Sequence, residues 1–231
     1  MKTSDYAAWL YGSHARSDYD NCSDIDILII GKPDINMILE QTGFDQNQIS
    51  LSQYNWDEIK KMASYGSLFL RHIMTEGKLL AATEEGKIQC EVIFGSLVPY
   101  KHMERDLKAF KKCVEDVESA IEKGSTPSFE MSVLATVLRH SAVLGSYIIG
   151  NPKFGRVEPF QVLAKRWNFQ NDILEQFKDL YQFRLYEDGR TSLPFKATWR
   201  DVDVWVDRSN RFLNCLTEEI DAYQKRMSGI N

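Results

Sequence analysis

From Met103 onward the spacing of apolar residues changes, and that change decides what the chain can fold into. Met103, Leu107, Phe110, Val114, Val117 and Ile121 recur at alternating steps of four and three, the stripe of an amphipathic helix. Gly124-Ser125-Thr126-Pro127 stops that helix. A second long helix is predicted from about Ser128 to Ile149, ended by Gly150-Asn151-Pro152. Shorter helices are predicted over Val157 to Trp167 and Asn171 to Phe183. A last one, from about Val202 to Arg226, turns Trp205, Phe212, Leu216, Ile220 and Tyr223 inward. Upstream the pattern is that of strands. Ala7 to Tyr11 is a short apolar run closed by Gly12-Ser13, and Asp24 to Ile30 is a second run closed by Gly31-Lys32-Pro33. Ile49 and Leu51 alternate with Gln48, Ser50 and Ser52 as a third strand, and Ile88 to Phe94 is read as a fourth. Trp56 to Ser64 and Leu68 to Thr75 read as helices. Strands first and helices second predict an α+β chain: a small mixed-sheet domain over residues 1–99, then an all-α helical bundle domain over 100–231, joined near Val98-Pro99-Tyr100.

Composition narrows the partners. With 33 acidic against 28 basic residues the formal net charge is −5, so no global positive field draws the chain onto nucleic acid, which is disfavoured as a partner. No apolar run approaches the roughly 18 residues of a membrane span, and a membrane is excluded as a partner. Met1-Lys2-Thr3-Ser4-Asp5 is polar and lacks the features of a signal peptide, so a cytoplasmic location is expected. Cys22, Cys90, Cys113 and Cys215 lie far apart without a C-x-x-C pair, which fits buried thiols in a reducing compartment better than disulfides or zinc.

One segment carries the chemistry: Gly12-Ser13-His14-Ala15-Arg16, then a polar stretch, then Ser23-Asp24-Ile25-Asp26-Ile27-Leu28-Ile29. Residues two apart in a strand point the same way, so Asp24 and Asp26 share a face about 7 Å apart while Ile25, Ile27 and Ile29 face the core. Mg²⁺ takes oxygen ligands and usually needs only one or two protein carboxylates, with phosphate oxygens and water completing its shell. Two aspartates so spaced therefore suit a metal that arrives with a nucleotide. At Gly12 a missing Cβ lets another group approach the backbone, and free N–H groups there can hold phosphate together with the Ser13 hydroxyl. Arg16 supplies a fixed positive fork for triphosphate oxygens.

In order and spacing this segment resembles the minimal nucleotidyltransferases of the DNA polymerase beta superfamily, whose signature is a Gly-Ser turn followed about ten residues later by an Asp-x-Asp strand. Ten residues, His14 to Ser23, separate Ser13 from Asp24. Tyr54-Asn55-Trp56-Asp57-Glu58-Ile59, Met62 to His72 and Glu76-Gly77-Lys78-Leu79-Leu80 look like a stretch found in a bacterial subgroup. Val137-Leu138-Arg139 through Asn151-Pro152-Lys153-Phe154-Gly155-Arg156 is similar to the helical substrate-binding domain of aminoglycoside nucleotidyltransferases. The resemblance implies a transferase that moves a nucleoside monophosphate, AMP from ATP or the equivalent from another nucleoside triphosphate, to a hydroxyl of a small molecule or protein. It implies Mg²⁺ or Mn²⁺ held by Asp24 and Asp26 as catalytic residues, with Gly12, Ser13 and Arg16 binding the nucleotide.

The chain departs from that family in one respect. Catalytic members usually carry a third carboxylate on a neighbouring strand, where it completes the metal site and activates the acceptor. The matching polar face here is Gln48, Ser50 and Ser52; Asp45, Asp57 and Glu58 are the nearest acids. A second function therefore stands beside the enzyme: a weakly catalytic or non-catalytic nucleotidyltransferase-like antitoxin, or a nucleotide-binding regulator, acting through a toxin-type protein partner or as a homodimer. His72 and Glu76 share a helical face and read as a packed histidine with its hydrogen-bond partner rather than as a metal site. His14 sits inside the turn and is read as exposed, with nucleotide contact as the alternative, whereas His102 and His140 show no partners. Arg139 and His140 are adjacent, not spaced as in helical ribonucleases. Lys153, Arg156, Lys165 and Arg166 read as a solvated basic surface, with phosphate binding as the alternative.

Overall fold

The computed structural model describes residues 5–21, 23–44, 46–170 and 172–229. The chain divides into two compact units, Met1–Lys101 and His102–Asn231.

In the first unit, strand β1 (Tyr6–Tyr11) runs into the five-residue helix α1 (Gly12–Arg16). Strand β2 (Ile25–Gly31), helix α2 (Ile35–Thr42), strand β3 (Ile49–Tyr54), helix α3 (Trp56–Ser64), helix α4 (Leu68–Glu76), strand β4 (Lys78–Ala82) and helix α5 (Glu84–Gly95) follow. The strands lie in the order β3-β2-β1-β4. β1 is antiparallel to β2 and β4, and β2 is parallel to β3, so the sheet is mixed. β2 is central, and Ile27, Leu28, Ile29 and Ile30 are each fully buried. That is why it reads as a continuous aliphatic run, with each such side chain contributing about 1.5–3 kcal/mol of burial. Leu28 and Ile30 join Ala7 under Ile59, Leu70, Ile73 and Ile93 from α3, α4 and α5. On the opposite face Ile25, Ile27 and Ile29 meet Ala8, Leu10, Ala15 of α1 and Ile38 of α2. Asp26, two residues before Leu28, lies on the face that α3, α4 and α5 cover.

The fourth strand is Lys78–Ala82, and the expected strand Ile88 to Phe94 lies instead within helix α5. Thr83 caps that helix by accepting from the Gly86 N–H, Glu84 and Glu85 fill its first turn, and Cys90 and Ile93 form its buried face with Gly86. Ile88 and Val92 are exposed, so the apolar run is not the buried face of a strand. β4 is Lys-Leu-Leu-Ala-Ala, without a β-branched residue; pairing with β1 overrides its weak strand propensity. The helix starting at Trp56 is set by a capping box, in which Asn55 accepts from the Glu58 N–H and Glu58 accepts from the Asn55 N–H.

The second unit is helical: α6 (Met103–Glu118), α7 (Pro127–Ile148), α8 (Glu158–Arg166), α9 (Ile173–Glu187) and α10 (Trp199–Met227). Helix α7 is buried on nearly every side and touches the other four. Phe160 stacks between Phe177 and Phe212, with ring centroids 4.1 and 5.2 Å away. Trp205, Phe212, Leu216 and Ile220 are buried along α10 as their spacing predicts. Ile121, expected on the α6 stripe, stands exposed in a single 3₁₀ turn past the end of that helix. The architecture is α+β, a small mixed sheet followed by helices.

Candidate functional site

β1 ends at Tyr11, which pairs with Asp26 of β2. Gly12 follows with φ +71°, a conformation that L side chains rarely adopt. A Cβ built on Gly12 would stand 2.3 Å from Asp26 Oδ2, so the absent side chain is what admits the carboxylate against the turn. Ser13 comes next, and α1 closes after Arg16 with Ser17 left-handed (φ 66°) and the Asp18 N–H donating to the Ser13 carbonyl at 3.1 Å. The connection back to β2 is tightened by Ser23, whose hydroxyl accepts from the Asp20 N–H and donates to the Asp20 carboxylate at 2.8 Å. Asp24 lies one residue before the start of β2 rather than inside the strand. Gly12, Ser13 and Asp26 are thus brought together, with Asp24 two residues upstream. Cys22, in the same connection, lies outside the described residues.

The parallel register sets Ser50 of β3 beside Asp26 and Ser52 beside Leu28. Gln48 lies in a 3₁₀ turn before β3. Asp45 lies outside the described residues. Glu58 is engaged in the α3 capping box, and Asp57 is an exposed partner of Lys60. Among the described residues no group of three or more His, Cys, Asp or Glu side chains could hold a metal ion. The donors expected from the sequence, Asp24 and Asp26, are two carboxylates. That set still fits a hard dication arriving with phosphate oxygens, and the cradle at Gly12 leaves the Asp26 carboxylate room at the turn. Ser52 shares a hydrogen bond of 3.1 Å with the Tyr11 hydroxyl. Burial pushes the Tyr11 phenol above its ordinary value and the nearby Asp26 charge adds to this, against the Ser52 bond.

Arg16 is held by two acids. Its Nε donates to Asp18 at 3.1 Å and its Nη1 donates to Glu76 Oε2 at 2.8 Å. The same Glu76 oxygen lies 3.2 Å from His72 Nε2, and His72 packs edge-on against the Tyr11 ring. The helical pairing of His72 with Glu76 was legible from their spacing. The involvement of Arg16 was not, because 60 residues separate it from Glu76 and no local signal spans them. Burial would raise the Glu76 pKa, but the bonds from His72 and Arg16 outweigh it and hold the carboxylate below its ordinary 4.5. For Arg16 burial works against the charge, and the two acids more than offset it, raising its pKa.

A pH dependence follows from the Glu76 shift. Its folded pKa lies below the unfolded value, so its stabilisation is complete above about 4.5 and is lost as pH falls through the lowered value. Glu76→Gln is expected to cost about 1–3 kcal/mol at pH 7. The difference from wild type, measured by urea unfolding, should shrink as pH falls through that lowered value; an equal difference at neutral and at strongly acid pH would show that the carboxylate charge is not what stabilises.

The remaining candidates are mostly structural. His14 stacks on Tyr19 at 4.2 Å, a neighbour that sequence alone did not suggest. Of the expected basic surface, Arg166 pairs with Glu219 of α10 and Arg156 lies over the Tyr181 ring; Arg139 donates to the Phe154 carbonyl. Cys90 is buried in the sheet core, Cys215 is partly buried and Cys113 is exposed, against the expectation that all are buried; none of these three forms a disulfide. No described helix is long and apolar enough to cross a membrane.

Among curated proteins none matches this chain. A family model does match: residues 4–86, which contain all four strands, the Gly12-Ser13 turn and both aspartates, fit that of polymerase beta, nucleotidyltransferase, so this N-terminal part is similar to nucleotidyltransferase domains of that family.

Proposed function

We propose that the protein transfers a nucleoside monophosphate, AMP from ATP, to a hydroxyl of a small-molecule or protein acceptor, with Mg²⁺ or Mn²⁺ held by Asp24 and Asp26. One observation carries this reading: the glycine turn is packed so closely against Asp26 that only a missing Cβ permits it. Gly12 and Ser13 hold the β and γ phosphates through the backbone and the hydroxyl, and Arg16 helps neutralise them. The dication, when bound, neutralises charge on the triphosphate. With the chain orienting both reactants, the acceptor hydroxyl oxygen forms a bond to the α phosphorus and gives up its proton to solvent, while the bond to the bridging oxygen breaks and pyrophosphate leaves with the electron pair. The helical unit is the proposed acceptor-binding part.

A second reading has its own support, because Ser50, not a carboxylate, stands beside Asp26. The acceptor proton then has no carboxylate base at that position. Loss of a well-placed base typically costs 10²–10⁴-fold in rate. Slow turnover fits this, and so does an antitoxin-like nucleotide binder that acts through a protein partner or as a homodimer. Titration with labelled ATP and Mg²⁺ separates the cases. The expected result is ATP binding with slow pyrophosphate release that stops when EDTA is added. Binding without release would leave a nucleotide binder, and neither binding nor release would overturn both readings of the site.

A further inference from the structure

We propose that Glu76, steadied by His72, is a positioning residue that fixes the Arg16 guanidinium for the triphosphate, whereas Asp18 is the arm that the triphosphate displaces. This rests on the nucleotide-site reading above. Both acids bind one guanidinium, Asp18 at Nε (3.1 Å) and Glu76 at Nη1 (2.8 Å), but their surroundings differ. The Asp18 side chain is 49% exposed, and exposed pairs of that kind are screened by water and salt and contribute little. The Glu76 side chain is 13% exposed and has a second partner, His72 Nε2, 3.2 Å from the same oxygen. Pulling Glu76 away from Arg16 would leave a nearly buried charge poorly compensated. His72 is itself braced edge-on by Tyr11 (5.6 Å), whose hydroxyl meets Ser52 at 3.1 Å on the strand beside β2. A continuous set of contacts therefore ties Arg16 to the sheet on the Glu76 side and leaves the Asp18 side facing water. A guanidinium has five N–H donors, and Nη2 contributes two of them to a fork that suits phosphate. Once phosphate oxygens reach Arg16, Asp18 is a like charge beside them, while Glu76 still sets the direction of the fork.

The two acids should then act with opposite signs. In the full-length chain, with Mg²⁺-ATP and AMP as probes and melting temperature as the check on folding, Glu76→Gln is expected to weaken ATP binding about tenfold. AMP, which lacks the β and γ phosphates, should bind as it does to wild type. Asp18→Asn is expected to tighten ATP binding about two- to fivefold, a gain that shrinks as salt is raised. His72→Gln loosens Glu76 without touching Arg16 and should weaken ATP binding about threefold; it decides the matter if Glu76→Gln does not fold. The proposal is overturned if Asp18→Asn and Glu76→Gln shift ATP affinity in the same direction, or if AMP binding falls as much as ATP binding. If Glu76→Gln binds ATP normally while Asp24→Asn with Asp26→Asn does not, the positioning role fails and the site stands. If wild type binds no Mg²⁺-ATP, both fail.

Discussion

Replacing Asp24 and Asp26 together by asparagine is expected to abolish Mg²⁺-dependent ATP binding, by at least about 100-fold, while the melting temperature stays within about 2 °C of wild type or rises slightly. The size of the effect follows from the donor set. Among the described residues no third metal-ligating acid, histidine or cysteine joins the pair, and the register puts Ser50 where one would stand. Removing both charges therefore takes away the whole acidic contribution to a dication, not a fraction of it. Asparagine keeps the shape and one acceptor oxygen, so packing on the α3–α5 side of the sheet is preserved. Two neighbouring like charges repel in the absence of a cation, and relieving that repulsion is the source of any gain in stability. Calorimetric titration with and without Mg²⁺, beside a thermal melt, reads both halves. Unchanged ATP affinity in the folded variant would mean that the nucleotide site lies elsewhere.

Gly12→Ala is expected to disturb the turn and the Asp26 carboxylate at once. It meets two independent obstacles: a φ of +71°, and an added Cβ 2.3 Å from Asp26 Oδ2. The left-handed conformation alone costs an alanine about 1 kcal/mol. The clash cannot be relieved without rotating the Asp26 carboxylate or opening the turn, and steric intrusion of this kind typically costs a further 1–3 kcal/mol. Gly150→Ala supplies the control, since Gly150 has φ +78° but nothing within 4 Å of its would-be Cβ. Gly12→Ala is therefore expected to lower unfolding free energy by about 2–4 kcal/mol and to lose ATP binding, whereas Gly150→Ala should lose only about 1 kcal/mol. Equal losses in the two variants would show that backbone strain, not the approach of Asp26, is what the glycine relieves.

How much of this could be read in the sequence depended on the range over which each signal acts. Tyr11 and Gly12 mark the end of β1 because an apolar run meets a residue free to turn, and Ile27 to Ile30 announce a central strand because every side chain there is aliphatic. The helices beginning at Trp56 and Pro127 carry capping residues, so their starts were readable within a residue or two. Failures came where context decides. Lys78 to Ala82 has the composition of a helix and becomes a strand only because β1 offers it an edge. Ile88 to Phe94 has the composition of a strand and becomes helical because Thr83 and two glutamates begin a helix just before it. At the site, the turn and the two aspartates are local in sequence and were visible. Whether Ser50 or Ser52 stands beside Asp26 required the register of two strands separated by a helix. The joining of Arg16 to Glu76 required α1 and α4 to meet, which the fold of the unit decides.

The same direction shared by β2 and β3 makes position 50 a single point of decision. Under the proposed reading, aspartate there would give a descendant chain its missing base, and serine there leaves a holder of nucleotide that turns over slowly. Lineages could drift between those two ways of life by changing one side chain, with sheet, turn and interior left as they are.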